Sequence, residues 1–430
     1  MANDLSDIMP KILARGLMAL REQAVMPRLV NSDYASDAAK KGDTIDVPLP
    51  SAIAATDVTP SHMPPVPTSL AVNVVQIQLD NWKRAGFHLT DREVMEVEHD
   101  ETFVPMQMSE AIRALANAVN ASVHAEYVGV HGFVGTAGTT PFSADVSDAT
   151  LARKLLNRQL APRSDRRGVL DFDAETNALA LAQFSDAEKV GSSSVKIDGE
   201  IGRKFGIDWF ADDGVPTHVA GTAADDASYA ITTGSAGTVG DGSVTLTSDT
   251  GTPTLVRGDV ISFAGQDQTY VVTAGVALST GNTVVAIAPA LTAAVAGGAE
   301  VTVRKSHVVN LAFHRDAFAL AMRPLSAGLA DLSLGNRILA MTDAQTGLSL
   351  RLEVSRQYKQ TVWEFDEMFG HAYELERLKG KGGDIMVIAD PDDRTHSLRH
   401  TLYGALSESA PIVNSYPGRF TRRFVVDELV

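Results

Sequence analysis

PMQMSEAIRALANAVNASVHAEY, residues 105–127, is the stretch of sequence that decides the fold. Its apolar residues recur at spacings of three and four, which predicts a long helix with one buried face. At about 1.5 Å per residue such a helix spans roughly 35 Å, so the stretch predicts a rigid spine for the chain. Gly129 stands where a C′ glycine would end the helix. The apolar face comprises Ile112, Leu115, Ala116, Val119, Val123 and Tyr127.

Residues 1–41 are predicted to form an N-terminal amphipathic arm. The basic residues Lys11, Arg15 and Arg21 are interleaved with its apolar positions, and Pro27 marks a stop. Two roles stay open from the residues alone: a helix packed on its own domain, and an arm that docks on a neighbour. The apolar positions at helical spacing are Leu5, Ile8, Ile12, Leu13, Leu17 and Leu20.

Residues 42–90 are predicted to form an extended β-hairpin. Its first strand covers residues 44–48, and in its return strand Val75, Ile77 and Leu79 alternate with polar residues. The loop between the strands is rich in proline, which lacks a ladder donor and discourages indiscriminate edge pairing. The loop prolines are Pro60, Pro64, Pro65 and Pro67.

The rest of the chain alternates between mixed and purely β patterns. Residues 91–220 and 305–378 predict an α/β body, with helices over 148–160 and 174–184 and a strand over 168–170. Residues 221–304 are instead rich in Gly, Thr, Val, Ala and Ser. Short apolar runs between glycine-containing turns predict a small β-barrel or sandwich inserted into the body. The runs are residues 244–246, 259–263, 269–272, 283–287 and 301–303.

Residues 379–430 are predicted to form a C-terminal extension with a strand over 384–389, a helix over 395–406 and a strand over 419–426. A segment of about 50 residues buries too little surface to be comfortably stable alone. It should therefore dock on its own subunit or across a subunit boundary, and we favour the boundary. Arg422, Arg423 and Phe424 are the predicted intersubunit clamp.

Composition narrows the function classes. The 430 residues are enough for two or three domains. The absence of cysteine excludes disulfides, thiolate nucleophiles and thiolate metal sites. A formal net charge of −16 opposes phosphate backbones and so argues against a dedicated nucleic-acid-binding protein. Neither a long apolar run nor a signal-peptide pattern is present, which predicts a protein that neither spans a membrane nor is exported.

Three short motifs suggest chemistry, and each has a plainer interpretation. His314-Arg315-Asp316 resembles part of a kinase catalytic loop, but no glycine-rich nucleotide loop or metal-binding Asp-Phe-Gly accompanies it. His396 and His400 lie one helical turn apart, yet the zincin pattern needs Glu where Ser397 stands. The tripeptide at residues 257–259 matches a cell-adhesion motif, but it is typical of a turn that leads into a strand. The sequence therefore predicts no catalytic residues, no cofactor and no metal.

Several phrases taken together resemble the coat proteins of short-tailed bacteriophages, a family with the tailed-phage major capsid fold and an inserted β-barrel. Residues 79–93 are similar to the loop arm that runs into the spine, and residues 105–127 resemble the spine itself. Residues 165–170, 202–218 and 350–370 match further parts in the family's order. The closest match is Asn310 to Ala321, whose apolar positions predict a buried helical face. The resemblance covers residues 1–378.

The resemblance implies an α+β capsid subunit with an N-terminal arm (1–41), an extended hairpin loop (42–90), a spine helix with peripheral and apical domains (91–220 and 305–378) and an inserted barrel (221–304). It implies hexamers and pentamers in an icosahedral virion shell assembled in the host cytoplasm. The implied partners are a scaffolding protein, a portal protein and enclosed double-stranded DNA that is not bound by sequence, with a cement or decoration protein as an optional further partner. An extracellular adhesin or fibre is the alternative, and an enzyme the third possibility.

Overall fold

The computed structural model describes residues 13, 16, 24–33, 44–49, 73–93, 103–159, 161–185, 201–225, 229–323, 337–342 and 349–373. All of them belong to one of the two compact units into which the chain divides. This unit has a mixed α+β architecture in which sheets predominate.

The helices are α1 (Met26–Leu29), α2 (Phe103–His124), α3 (Ser147–Arg158), α4 (Phe172–Ala180), α5 (Ala182–Ser185) and α6 (Thr222–Asp225). The strands are β1 (Thr44–Leu49), β2 (Asn73–Gln78), β3 (Asn81–Thr90), β4 (Arg166–Leu170), β5 (Gly202–Lys204), β6 (Ile207–Ala211), β7 (Thr217–His218), β8 (Ile231–Thr233), β9 (Ser243–Ser248), β10 (Thr254–Leu255), β11 (Val260–Phe263), β12 (Thr269–Val272), β13 (Val276–Ala277), β14 (Thr283–Ala288), β15 (Val301–Val303), β16 (His307–Val308), β17 (Leu311–His314), β18 (Phe318–Arg323), β19 (Arg337–Thr342), β20 (Ser349–Gln357) and β21 (Gln360–Tyr373).

Helix α2 confirms the predicted long helix, since its 22 residues bury an apolar face in the main core. The predicted ending at Gly129 is wrong. The helix tightens into a 3-10 turn, Ala125–Gly129, and Val130 closes that turn by donating its N–H to Tyr127 O at 2.9 Å. Gly129 thus lies within the final turn, because a 3-10 turn can satisfy the last carbonyls without a left-handed residue.

The main sheet consists of β18, β21, β20, β19 and β3, and α2 packs on one of its faces. Strand β21 is its centre: it pairs antiparallel with β20 and with β3, and its last residues pair with β18, while β19 extends the sheet beyond β20. Alternate residues of β21 face the core, and Phe365 and Phe369 are fully buried there. The long strand pair β20 and β21 lies where the resemblance expected the last β segment.

Strands β1 and β2 form the predicted hairpin, paired from Thr44 opposite Gln78 to Leu49 opposite Asn73. In the return strand Ile77 and Leu79 are buried while their polar neighbours are exposed, as the alternation predicted. The next ten residues differ from a simple hairpin arm, because β3 leaves the pair and joins the main sheet. The hairpin base crosses β21 closely: a Cβ on Gly370 would lie 2.1 Å from Gln78 O.

A second sheet has the order β17-β4-β6-β5, with β4 and β6 parallel. Its β17 overturns one prediction, since the stretch from Asn310 to Ala321 is two strands joined by a 3-10 turn. Every residue of β17 is buried, as are the first five of β18. A strand buried on both faces reads as a continuous apolar run, which periodicity cannot distinguish from a buried helix.

Residues 221–304, which we call the inserted region, contain the five predicted strands and the three short strands β8, β10 and β13. Six strands form a sheet with the order β15-β11-β12-β14-β9-β8, and a bridge between Thr232 and Glu300 joins its two end strands. Their apolar faces form a hydrophobic core separate from the main one. The entering strand β7 and the leaving strand β16 pair with each other at its base.

Candidate functional site

The predicted site residues lie outside the described residues. This holds for the arm residues Lys11, Arg15 and Arg21 and for the clamp residues Arg422, Arg423 and Phe424, and also for His396 and His400. The described residues contain no group of three or more His, Asp or Glu side chains arranged to hold a metal ion. None of the described helices has the length and apolar character needed to cross a membrane.

The structure brings together a different set of polar residues at the end of α2. Asn120, His124 and Tyr127, which we call the polar stripe, are four and three residues apart and so share one face of the helix. Together they bond to Met26, Asp212 and His218. The polar stripe therefore joins the N-terminal segment, the second sheet and the inserted region to one rigid element.

Asp212, just after β6, is the buried partner of two stripe residues. Asn120 Nδ2 donates to Asp212 Oδ2 at 2.8 Å, and His124 Nε2 lies 2.8 Å from the same oxygen. Burial alone would raise the pKa of Asp212, but hydrogen bonds from His124, Asn120 and the Gly214 N–H outweigh it, so the pKa lies below its usual value. The carboxylate is thus ionised and acts only as an acceptor, which puts the donated hydrogen on His124 Nε2.

Asn120 also forms a hydrogen bond with the N-terminal segment, residues 24–33. Its Oδ1 accepts the buried Met26 N–H at 2.9 Å. Further along, Asn31 exchanges backbone hydrogen bonds with Phe318 and Leu320, and Asn31 Nδ2 donates to Asp316 Oδ1 at 3.0 Å. The kinase-like tripeptide at residues 314–316 therefore serves as an anchor for the N-terminal segment. Arg315 pairs with Asp33 at 2.8 Å in the same contact.

Tyr127 links α2 to the inserted region through a buried relay. Its Oη lies 3.0 Å from His218 Nδ1, and His218 Nε2 lies 2.9 Å from Asp259 Oδ1. With Nε2 donating to the carboxylate, Nδ1 is the acceptor and the tyrosine hydroxyl donates. Burial, and then the charge of Asp259, raise the pKa of Tyr127, which keeps it a donor.

Asp259 also decides between the two interpretations of residues 257–259. It is fully buried, and its Oδ2 accepts the Val256 N–H at 2.7 Å. The preceding Gly258 has a φ of +97°, a left-handed conformation that side chains rarely adopt. The tripeptide is therefore a turn that leads into β11, as predicted, and its carboxylate is enclosed.

Two more contacts lie between the end of α2 and the base of residues 221–304, a region that we call the junction. The His307 ring lies 5.4 Å from the His218 ring and meets Phe133 edge-on at 5.0 Å. Burial lowers the pKa of His307, and the neighbouring His218 lowers it further, against an opposing hydrogen bond to the Lys305 carbonyl. Beyond the polar stripe, Glu126 Oε1 lies 2.7 Å from His371 Nδ1 and ties the helix end to β21.

Sequence reasoning missed the polar stripe, although one signal was present. Asn120, His124 and Tyr127 recur at helical spacing beside the apolar face of the helix, and buried polar residues need partners. Their partners could not be identified, because Asp212 lies 88 residues from His124 and Asp259 lies 41 residues from His218.

A cavity of about 550 Å³ lies beside the junction, lined by Phe142, Trp209 and His307 among others. Two polar atoms in its wall, Asp171 Oδ1 and Asn310 Nδ2, have no hydrogen-bond partner. Both atoms are inaccessible to solvent, so neither can meet a molecule in the cavity.

No protein-family model matches the chain, and no curated protein matches it in sequence. Similar solved structures exist. One from Mycobacterium phage Che8 has a TM-score of 0.45 and 13% identity, and the match covers 82% of this chain and 88% of that one. The capsid of cyanophage P-SCSP1u has a TM-score of 0.43 and 9% identity, with 81% and 83% covered. The capsid of Ralstonia phage GP4 has a TM-score of 0.39 and 8% identity, with 82% and 87% covered. The second and third of these structures are capsid structures.

Proposed function

We propose that this chain is the major capsid protein of a tailed bacteriophage, a structural, non-catalytic subunit of an icosahedral virion shell. The observation that carries the proposal is the hairpin of β1 and β2. Within the described residues its arms pair only with each other, and the buried residues at its base pack against Ala319 and Ala321 of β18. In that part of the chain its outer strand edges are therefore open to pairing with a neighbouring chain.

The order of the elements supports the same proposal. The hairpin leads through β3 into α2, two mixed segments flank a separate β region, and β20 with β21 follows. This is the order of the family that the sequence resembles. We assign α2 as the spine, and the mixed segments as the peripheral and apical domains.

We further propose that residues 221–304 form a closed β-barrel that folds on its own. The bridge between the two end strands, the separate core and the paired entry and exit strands support this assignment. A closed sheet has no free edge to recruit other strands, which suits a region displayed on a crowded shell.

The partners follow from the capsid role. We propose hexamers and pentamers of this chain, assembly in the host cytoplasm with a scaffolding protein and a portal protein, and enclosure of double-stranded DNA without sequence-specific binding. A cement or decoration protein is an optional further partner. The net charge of −16 fits a shell that encloses DNA without gripping it.

The proposed arm faces the interior, where Lys11, Arg15 and Arg21 meet an acidic scaffold or the packaged DNA. Reversing these three charges should reduce scaffold-dependent assembly, with a steep salt response. Cleavage of the arm by protease in sealed particles would contradict an interior position.

The proposed clamp, Arg422, Arg423 and Phe424, holds neighbouring subunits together. Truncation after Leu378 should leave a folded subunit whose shells form poorly or break at lower temperature. Shells of unchanged thermal stability would refute the clamp.

Deletion of residues 61–67 tests the hairpin directly. Negative-stain microscopy should show closed shells for the full chain and few or none for the deletion, while circular dichroism shows a folded subunit in both. Val284→Ser on the exposed face of the inserted region serves as a control that should assemble normally. Normal shells from the deletion would overturn the hairpin's role, and rods from the full chain would favour the fibre alternative.

A further inference from the structure

Glu367 is a buried carboxyl group without a partner in the part of the chain that the structure describes. It lies on β21 between the fully buried Phe365 and Phe369, on the face that packs against α2, and only 2% of its surface is exposed. Neither of its side-chain oxygens has a hydrogen-bond partner. Burying such a group is costly unless it is neutral or paired, so this position needs an explanation beyond packing.

Among the described residues, Lys83 is the cation that can reach this carboxyl. Lys83 on β3 stands directly opposite Glu367 in the antiparallel register. Opposed residues on neighbouring strands share a face, with Cβ atoms roughly 5 Å apart. The Lys83 side chain is nonetheless exposed to solvent at the edge of the sheet, and it forms no ion pair with Glu367.

The other described groups around Glu367 do not supply a counter-charge. On α2 the buried His124 is bonded to Asp212, and Glu110 and Arg113 are exposed and 3.9 Å from each other. On β20 the nearest core residues are Leu350 and Leu352. The remaining charges on β21 are engaged: Asp366 faces the other side with Arg351, and His371 is bonded to Glu126.

We propose that Glu367 and Lys83 form a proton-controlled latch in the main sheet. With the carboxyl neutral, Lys83 stays in solvent and the sheet packs as observed. When the carboxyl loses its proton to solvent, the carboxylate draws Lys83 into an ion pair across the two strands, and the packing of β21 against α2 changes. Burial, and then the neighbouring Asp366, raise the pKa of Glu367 to about 8, which places this change in the neutral to mildly alkaline range.

The latch goes beyond the proposed capsid role and does not depend on it, because it is a property of the single subunit. Its test therefore uses the soluble full-length subunit, and its failure would leave the capsid proposal untouched. In a shell, the same change would alter every subunit at once.

Lysine labelling measures the latch. The subunit is acetylated briefly at pH 6 to 9, and the rate at Lys83 is divided by the rate at the exposed Lys154, which corrects for intrinsic lysine reactivity. The ratio should fall at least about threefold toward pH 9, where about nine-tenths of the carboxyl is ionised. In Glu367→Gln the ratio should stay flat. A flat ratio in the natural subunit, or the same fall in the variant, would overturn the latch.

A second variant covers the case in which Glu367→Gln does not fold. Lys83→Met changes only an exposed side chain. Without Lys83 the ionised Glu367 carboxylate has no counter-charge. The urea midpoint of this variant should therefore fall more steeply from pH 6 to 9 than that of the natural subunit. Lys154→Met is the matched control and should follow the natural subunit. Equal pH dependence of Lys83→Met and the natural subunit would contradict the latch.

Discussion

Asp212 and Glu367 are both buried carboxyl groups near α2, but they differ in their hydrogen bonding and in the direction of their pKa shifts. Asp212 accepts hydrogen bonds from Asn120, His124 and Gly214, whereas Glu367 has none. Accordingly the pKa of Asp212 is lowered and that of Glu367 is raised to about 8. The comparison teaches that burial alone does not set the charge of a side chain, because the available donors decide it. Asp212 stays ionised and holds its neighbours in place, whereas Glu367 can gain or lose its proton.

The largest expected effect comes from removing the satisfied carboxylate. Asp212→Ala leaves His124, Asn120 and the Gly214 N–H without their shared acceptor inside the core. Breaking a buried, hydrogen-bonded pair costs about 3–5 kcal/mol of unfolding free energy. Urea unfolding at pH 7 measures the loss, with the exposed neighbour Asp213→Ala as control. A loss below about 1 kcal/mol would show that this network is not a structural joint.

The unsatisfied carboxyl should behave in the opposite way. At pH 7 Glu367 is mostly neutral yet still unbonded, and an unsatisfied buried group costs about 1–3 kcal/mol. Glu367→Leu fills the same space without that cost, so it should stabilise the subunit by about 1–2 kcal/mol. Glu364→Leu on the same strand removes a partly exposed carboxylate paired with Arg84 and provides the control. Destabilisation by Glu367→Leu would indicate a hidden partner for the carboxyl.

The two carboxyl groups also predict opposite pH dependence. Because the folded-state pKa of Glu367 lies above its unfolded value of about 4.5, its contribution to stability is complete below that pH and is lost as the pH rises through about 8. For Asp212 the folded-state pKa lies below its unfolded value of about 3.8, so its contribution is present above that pH and is lost in acid. The difference between natural and Glu367→Gln unfolding curves isolates the first effect.

The smallest expected effect concerns His307 at the base of the inserted region. Its folded-state pKa is lowered, so the folded state favours the neutral ring. Stability should therefore decline as the pH falls below about 6.5, the ordinary value for an imidazole. His307→Phe keeps a ring against Phe133 and should remove this decline. An unchanged acid dependence in the variant would place the sensitive group elsewhere.

The sequence predicted those elements whose pattern is set by one buried face. The spacing in α2 and the alternation of Ile77 and Leu79 are direct consequences of that geometry. The prediction of secondary structure failed where both faces of a strand are buried, as in β17 and β18, because such strands show no alternation of apolar and polar residues. Strands of two or three residues, such as β10 and β13, are too short to show a pattern. The junction could not be predicted because its partners come from distant parts of the chain. The latch could not be predicted because the mixed apolar and acidic residues 362–369 do not reveal which carboxyl is buried without a partner.

The most direct test of the central claim is an electron cryo-microscopy reconstruction of the particles formed by the purified full-length chain with its scaffold. We predict closed icosahedral shells of hexamers and pentamers, in which residues 42–90 of each subunit lie on a neighbouring subunit while α2 stays packed on the sheet of its own subunit. Rods, separate subunits, or a hairpin folded back on its own subunit would contradict it.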